Sequence, residues 1–475
     1  MIWQDNANKD RLEWQFELLT LSGLSRDFTD RYVQLKQLRL STQLQEYDFY
    51  ATDSLLAYMN FIDQLKQKGD AWLFGRGFDY QSNSINKESL QRVLMSIEED
   101  KLSVLLDNLD SKDSNTIAMK NEIKKLKSVE EWEKIATTKT LRVGNPSHEI
   151  NNIITSLEKS GVVSGSQAEE LTGLNLSHYD KILLPWVKDF QQQHGLNSDG
   201  VIGPKTREWF NKSPKERIAL LALNIQRNRF WKNNKSSQLV VNIPAYQLSL
   251  RLDDKAVLES KVIVGRPSRK TPLLDIQLAS IVFNPHWNVP RKLMREDILP
   301  KAKRDYRYLE NNNYQVLDSW GNNAIEIPPE FIDWDTLDPW NTNYRLRQRP
   351  GSNNALGRYK FNTPNNQAIY LHDTPGKRLF KRDSRALSSG CIRVEKARQL
   401  VDVVMNYNGL NKNKHTQFLK NRETKYLNVK KKLPVSMIYQ TAWADEQGRI
   451  QYRDDIYKYD KIAYQHPQAN KYIYK

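Results

Sequence analysis

From Asp10 to about Glu133 apolar residues recur three and four apart, as in Leu55, Leu56, Tyr58, Met59, Ile62 and Leu65, with charged residues between them. That is the period of a helix with one buried face, and it predicts a helical scaffold domain over residues 1–143. The same period returns from Glu216 to Trp231, where Ile218, Leu221, Leu223 and Ile225 stand among Arg217, Arg227 and Arg229. This reads as an amphipathic linker helix within 214–236. From Leu239 the pattern shortens to β-rich runs: Leu239–Ile243, Gln247–Leu250 and Ser260–Val264, broken by Pro244, Asp253-Asp254 and Gly265-Arg266-Pro267. It resumes with Arg358–Phe361, Ala368–His372 and a late run, Pro434–Tyr439. A mostly β domain over 237–455 is therefore expected, with a tail at 456–475 that carries no clear pattern.

Between Pro290 and Arg349 the strands are interrupted by a stretch rich in Trp, Tyr, Asn and Pro that follows neither period. An aperiodic segment of that length inside a compact domain predicts a lid or inserted subdomain, at about 291–348.

Residues 144–213 form a further unit. Its centre is Leu184-Pro185-Trp186-Val187-Lys188-Asp189-Phe190-Gln191, then His194-Gly195-Leu196, then Asp199-Gly200-Val201-Ile202-Gly203-Pro204-Lys205-Thr206. Gly195 suits a helix end, Asp199-Gly200 a turn and Pro204 the start of the next helix. The segment resembles the small three-helix peptidoglycan-binding module, whose Phe-Gln, Gly-Leu, Asp-Gly and Ile-Gly-Pro landmarks it carries in order.

At 475 residues the chain exceeds a single ordinary core, and the fold class expected is multidomain. Its 72 Lys and Arg against 56 Asp and Glu leave a net charge of +16, which favours anionic partners such as nucleic acid, anionic lipid or carboxylate-rich cell wall. The basic residues are spread along the chain and no zinc-finger or other common nucleic-acid module is present, so a nucleic-acid role is not expected. A lone cysteine, Cys391, excludes an internal disulfide and any cysteine-cluster metal site. Met1-Ile2-Trp3-Gln4-Asp5 lacks the basic and apolar regions of a secretory leader, and no apolar run reaches about 18 residues.

The chemistry concentrates in Tyr370-Leu371-His372-Asp373-Thr374-Pro375 and Arg385-Ala386-Leu387-Ser388-Ser389-Gly390-Cys391-Ile392-Arg393-Val394. A thiolate is a strong nucleophile, and a neutral imidazole within reach can take its proton and return it to a leaving group. Of the seven histidines, His372 ends a strand pattern and lies near the cysteine in sequence. His286, in Asn284-Pro285-His286-Trp287-Asn288, is a lesser candidate, and His148, His178, His194, His415 and His466 fall in helical, loop or tail contexts. Gly390 permits a tight turn, so that its amide and that of Cys391 could face a developing oxyanion, with the Ser389 hydroxyl beside them. Arg385 and Arg393 make the neighbourhood electropositive, which favours thiolate and attracts a carboxylate-bearing substrate; Lys396 reads as a surface charge.

These residues resemble the YkuD-type L,D-transpeptidase catalytic domain, in its large multidomain Gram-negative subgroup. The likeness extends to Asn242-Ile243-Pro244, Thr271-Pro272, Asn284–Pro290, Arg349-Pro350-Gly351 and Ala355-Leu356-Gly357-Arg358, and so to roughly residues 145–455. Smaller members often have His where this chain has Ser389, while the subgroup resembled carries Ser. The resemblance implies a peptidoglycan transpeptidase that needs neither metal nor cofactor. Cys391 is the nucleophile and His372 the general base and acid, oriented by the Asp373 backbone carbonyl. Tetrapeptide stems are donor and acceptor, positioned by Tyr370, Trp287, Arg393 and Arg385, and carbapenems are covalent inhibitors. It also implies export to the periplasm, hence a leader, or a membrane anchor, that this chain does not show. Water as acceptor, which would make an L,D-carboxypeptidase, and a non-catalytic wall-binding scaffold are the alternatives the residues leave open.

Overall fold

The computed structural model describes residues 1–41, 43–75, 86–231, 235–321, 323–338, 340–410, 412–420, 423–460 and 467–474. The chain divides into two compact units, Met1–Asn233 with Tyr439–Lys475, and Asn234–Ile438.

In the first unit the helical period becomes the helices Asn6–Leu21, Arg26–Leu40, Leu44–Trp72, Lys87–Glu98, Leu102–Leu109 and Ser114–Lys127. Asp5, Asn86 and Asp113 cap three of them, each accepting a hydrogen bond from an amide in the first turn. Leu12, Phe16, Phe28 and Phe61 are fully buried between them. The segment with the peptidoglycan-binding landmarks follows as Ile150–Lys159, Gly165–Gly173, Leu184–Gln193 and Pro204–Phe210. Its landmark residues have physical reasons. Phe190 stacks on Phe210 with centroids 4.2 Å apart. Gln191 accepts from the Gly200 amide at 2.8 Å and donates to Val201 O at 3.0 Å, tying helix to turn. Gly200 has φ of +75°, and a Cβ there would lie 2.1 Å from Leu184 Cδ1, so another residue would be strained and would displace Leu184.

The helix Pro214–Phe230 opens on a Ser213/Glu216 capping box, but it is no exposed linker: every residue from Arg217 to Arg227 is buried. Arg217 and Arg227, which gave the sequence part of its polar face, are buried and bonded inside. Arg227 donates to Leu73 O at 3.1 Å, Tyr459 O at 3.0 Å and Asp460 at 2.6 Å, so both faces of the helix belong to the core. The C-terminal stretch is likewise integral. Tyr457 is buried, and a helix at Pro467–Ile473 seats Ala469 and Ile473 in the core, with Tyr32 donating to Tyr472 O.

The second unit is built on β1 (Gln238–Asn242), β2 (Gln247–Leu252), β3 (Lys255–Gly265), β4 (Leu274–Phe283), β5 (Trp287–Asn288), β6 (Tyr314–Leu317), β7 (Glu326–Ile327), β8 (Arg345–Gln348), β9 (Tyr359–Asn362), β10 (Leu371–His372), β11 (Ala386–Ser388), β12 (Ile392–Val394) and β13 (Lys425–Ile438). Nine strands form one sheet in the order β11-β3-β12-β10-β9-β4-β13-β1-β2, and a further β2–β3 pairing closes the order on itself. The late strand begins at Lys425, nine residues before its sequence pattern, because a register shift between Asn428 and Leu433 breaks the alternation across a lysine-rich stretch.

The interruption at 291–348 proves structured. The order β5-β8-β6-β7 makes a separate four-stranded sheet, and short helical turns between Arg291 and Asn311 pack Met294, Leu299 and Leu309 against Val316 and Leu346. Its elements run two to five residues, too short to register as a period.

Candidate active site

β10 is only two residues long, yet it is clamped on both sides. Leu371 pairs with Phe361 and His372 with Lys360 on β9, antiparallel, while Leu371 pairs with Ile392 and His372 with Arg393 on β12, parallel. Leu371, Ile392 and Phe361 are buried at 1 % exposure or less and fix the inward face. Alternation then sends Tyr370, His372, Cys391, Arg393 and Lys360 to the opposite face. Lys360, His372 and Arg393 form one row across three strands.

His372 Nδ1 lies 2.5 Å from Asp373 O; a carbonyl only accepts, so Nδ1 carries the proton and Nε2 is left as an acceptor. Burial, then the Arg393 charge, push the imidazole down to about 3, so it rests neutral. The Asp373 carboxylate serves elsewhere. It accepts from the Arg358 amide at 2.9 Å and pairs with Lys377 at 2.6 Å. It also closes against Gly357, whose φ of +59° and missing Cβ make room for it.

Cys391 follows Gly390, whose φ is +119° and whose added Cβ would crowd Ile369 at 3.2 Å. The turn is latched from both sides. Thr271 donates to Gly390 O at 2.7 Å, and Ser388 Oγ donates to Cys391 O at 2.6 Å while accepting from the Gly390 amide at 3.1 Å. That last bond corrects the expected oxyanion pair: the Gly390 N–H is occupied within the turn, and the Cys391 amide is the one with no acceptor among the described residues.

The thiol donates to Ala368 O at 3.8 Å, and the Tyr370 amide and hydroxyl also interact with the sulfur. No hydrogen bond joins it to His372, although the two side chains share a face, one strand and two residues apart. Solvent retains partial access to Cys391. Crowding by neighbouring atoms nevertheless dominates: desolvation pushes the thiol up, against the smaller downward pull of Tyr370, Lys360 and Arg393. The resting pair is thus a neutral thiol and a neutral imidazole, not the thiolate that the basic neighbourhood suggested.

Tyr370 is the hub. Its hydroxyl interacts with the thiol and with the Trp287 indole, its ring meets His372 edge-on at 5.8 Å, and Lys360 Nζ sits 4.1 Å above the ring. Trp287 belongs to β5 and pairs with Gln348, so the inserted sheet is rooted at the site. Ser389 Oγ accepts from Arg269 at 2.9 Å, and Arg269 also pairs with Asp297, at 2.7 Å, and with Glu296, both on the insert. Arg393 keeps a buried Nε with no hydrogen-bond partner, a donor awaiting an acceptor.

Arg385 differs from its expected role. Its guanidinium donates to Val262 O at 3.2 Å, Arg382 O at 2.9 Å and Tyr246 O at 3.2 Å and lies on the Tyr246 ring. Three of its five N–H groups brace the loop before β11. His286 bonds Thr424 Oγ1 at 3.0 Å, and His466 lies outside the described residues. Lys360 and Arg269 carry no sequence signal of their own, and the latching roles of Thr271 and Ser388 appear only in the turn geometry. Among the described residues no cluster of three His, Cys, Asp or Glu that could hold a metal occurs, and no helix is long and apolar enough to cross a membrane.

The model of the L,D-transpeptidase catalytic domain matches residues 236–458, twenty residues beyond the last strand of the nine-stranded sheet, and a model described as "Putative peptidoglycan binding domain" matches 175–210. A Haemophilus influenzae protein named "Putative L,D-transpeptidase" is 30% identical over 460 residues, covering 97% of this chain and 76% of that protein. With a catalytic domain and a binding domain for peptidoglycan, which lies outside the cytoplasmic membrane, the chain belongs to the L,D-transpeptidase family.

Proposed function

We propose that this enzyme forms 3-3 cross-links between peptidoglycan stems through a thioester on Cys391, working in the periplasm in wall biogenesis, remodelling and maintenance of cell shape. The observation that carries the reading is the shared face of Cys391 and His372, with one imidazole nitrogen fixed by Asp373 O and the other open. The thiol leaves Ala368 O by rotation about its own Cα–Cβ bond and passes its proton to His372 Nε2. The sulfur then attacks the carbonyl of the third stem residue, a diamino acid such as diaminopimelate. The bond to the terminal D-Ala breaks and its amine takes the proton from His372. The side-chain amine of a second stem next attacks the thioester, completing the cross-link and regenerating the thiol. Bond energy is carried by the thioester, so no nucleotide is consumed. The Cys391 amide and Ser389 hydroxyl face the developing oxyanion, and Arg393 Nε receives a substrate carboxylate. The insert caps the cleft, which favours an amine over water. Carbapenems acylate the same sulfur.

Muropeptide analysis of cells expressing the wild type or Cys391→Ala tests this. Dimers with 3-3 links that depend on Cys391 support it; equal dimers in both strains overturn it, and tripeptide without dimers indicates hydrolysis instead.

A further inference from the structure

Lys360 has no part in the mechanism above, yet its position is unusual. It is half-buried on β9 between Tyr359 and Phe361, which point inward, and it faces the site with Cys391 and Tyr370. Its ammonium rests 4.1 Å from the centre of the Tyr370 ring, whose hydroxyl in turn interacts with the sulfur. The groups around it are few. β10 presents His372, and the residue before it Tyr370; the loop before β12 presents Cys391, and β12 itself Arg393; β5 presents the Trp287 indole. Across the β4 pairing Lys360 meets Val282, which cannot titrate. No carboxylate among the described residues pairs with it. A cation held on an aromatic face without a carboxylate partner keeps its charge available to a group nearby that becomes negative.

We propose that Lys360 is a positioning residue for the transfer reaction: held on the Tyr370 ring, it is the counter-charge to the Cys391 thiolate. Its place in a row with His372 and Arg393 has a second effect. Two cations flank the imidazole from the neighbouring strands, so a proton received there is held weakly and passes on to the departing amine. The directions of the local shifts agree: Lys360 lowers both the thiol and the imidazole, and burial lowers Lys360 itself while the sulfur raises it. The proposal rests on Cys391 being the nucleophile, but it can be tested without turnover.

Cys391 is the one cysteine in the chain, so alkylation by iodoacetamide reads this sulfur alone, with Cys391→Ala as the blank. The alkylation rate of the full chain is measured against pH for wild type, Lys360→Met, Lys360→Gln and Lys360→Arg, with thermal melts to show that each is folded. The expected result is a midpoint displaced upward by about one pH unit in the Met and Gln variants, roughly a tenfold slower reaction near neutral pH, with Arg restoring the wild-type profile. Profiles of folded Met or Gln variants that superimpose on the wild type overturn the proposal, as does an Arg variant displaced as far as Met. A wild type that forms no cross-links while the Met and Gln variants still show the shift would instead count against the proposed function.

Discussion

Tyr359 and Lys360 are adjacent on β9 and face two different histidines. Inward, the Tyr359 hydroxyl bonds His415 Nε2 at 2.8 Å while Asp402 holds His415 Nδ1 at 2.6 Å, and Phe283 and Phe418 pack alongside. Outward, Lys360 stands in register with His372, whose Nδ1 is bound to a carbonyl and whose Nε2 has no partner. Read as an acid–base constellation, the Asp402–His415–Tyr359 chain is the more complete of the two. Yet both of its ring nitrogens are occupied, so it can only hold structure together. His194 makes the same point, bonded to Phe190 O and to Arg217 and pushed far down by burial. Of these three buried imidazoles, His372 alone has one nitrogen fixed and the other left open.

The sharpest way to break that comparison is to substitute both histidines. His372→Gln should lower kcat by about 10²–10⁴-fold with the fold intact, whereas His415→Gln should leave kcat of the folded fraction within about twofold. Comparable losses in the two would remove the distinction.

Arg393 and Arg385 provide a second contrast, eight residues apart in sequence. Arg393→Gln removes the unpartnered donor and should reduce kcat/KM about 10–100-fold, mainly through KM, the size of a hydrogen bond to a charged group. Arg385→Gln should leave kcat/KM nearly unchanged and lower the melting temperature, since its three carbonyl partners are structural.

Tyr359→Phe leaves His415 Nε2 buried without a partner and should cost about 1–3 kcal/mol of stability, read as a shift in the urea midpoint, with little effect on turnover.

The smallest effect concerns pH. The unfolded His372 imidazole takes a proton near 6.5, but the folded one refuses it until about 3. Its contribution to stability is therefore complete above 6.5 and is lost progressively as pH falls toward 3. The urea midpoint should consequently fall less between about pH 7 and pH 5 in His372→Gln than in the wild type; an equal or steeper fall contradicts a neutral buried imidazole.

How much of this was legible in the sequence follows from the range of the interactions. Cys391 and His372 could be singled out because one is the lone cysteine and the other ends a strand pattern, both local facts. Strands are visible where a β-rich run spans four or more residues, as at Leu239–Ile243. They are invisible in the insert, where Trp287-Asn288 and Glu326-Ile327 are strands of two. Lys360 could not be found, because only pairing register sets it beside His372. Nor could Arg385 be told from Arg393, since both are arginines flanking the same turn and only the carbonyls around Arg385 separate them. The partner of the Gly390 amide is hidden for a similar reason: the glycine announces a turn, but not that Ser388 Oγ accepts a hydrogen bond from its N–H. The burial of the helix Pro214–Phe230 is invisible because buried, paired arginines look the same in sequence as solvated ones.

The central claim is that the acyl group is carried on the Cys391 sulfur. Intact-protein mass spectrometry of enzyme incubated with a tetrapeptide stem and quenched in acid tests it directly. The account predicts a transient gain equal to the donor stem less its terminal D-Ala, present in the wild type and missing from Cys391→Ala. An adduct of equal size and amount in both proteins, or turnover in the wild type through which no adduct can be trapped while Cys391→Ala remains active, would contradict it.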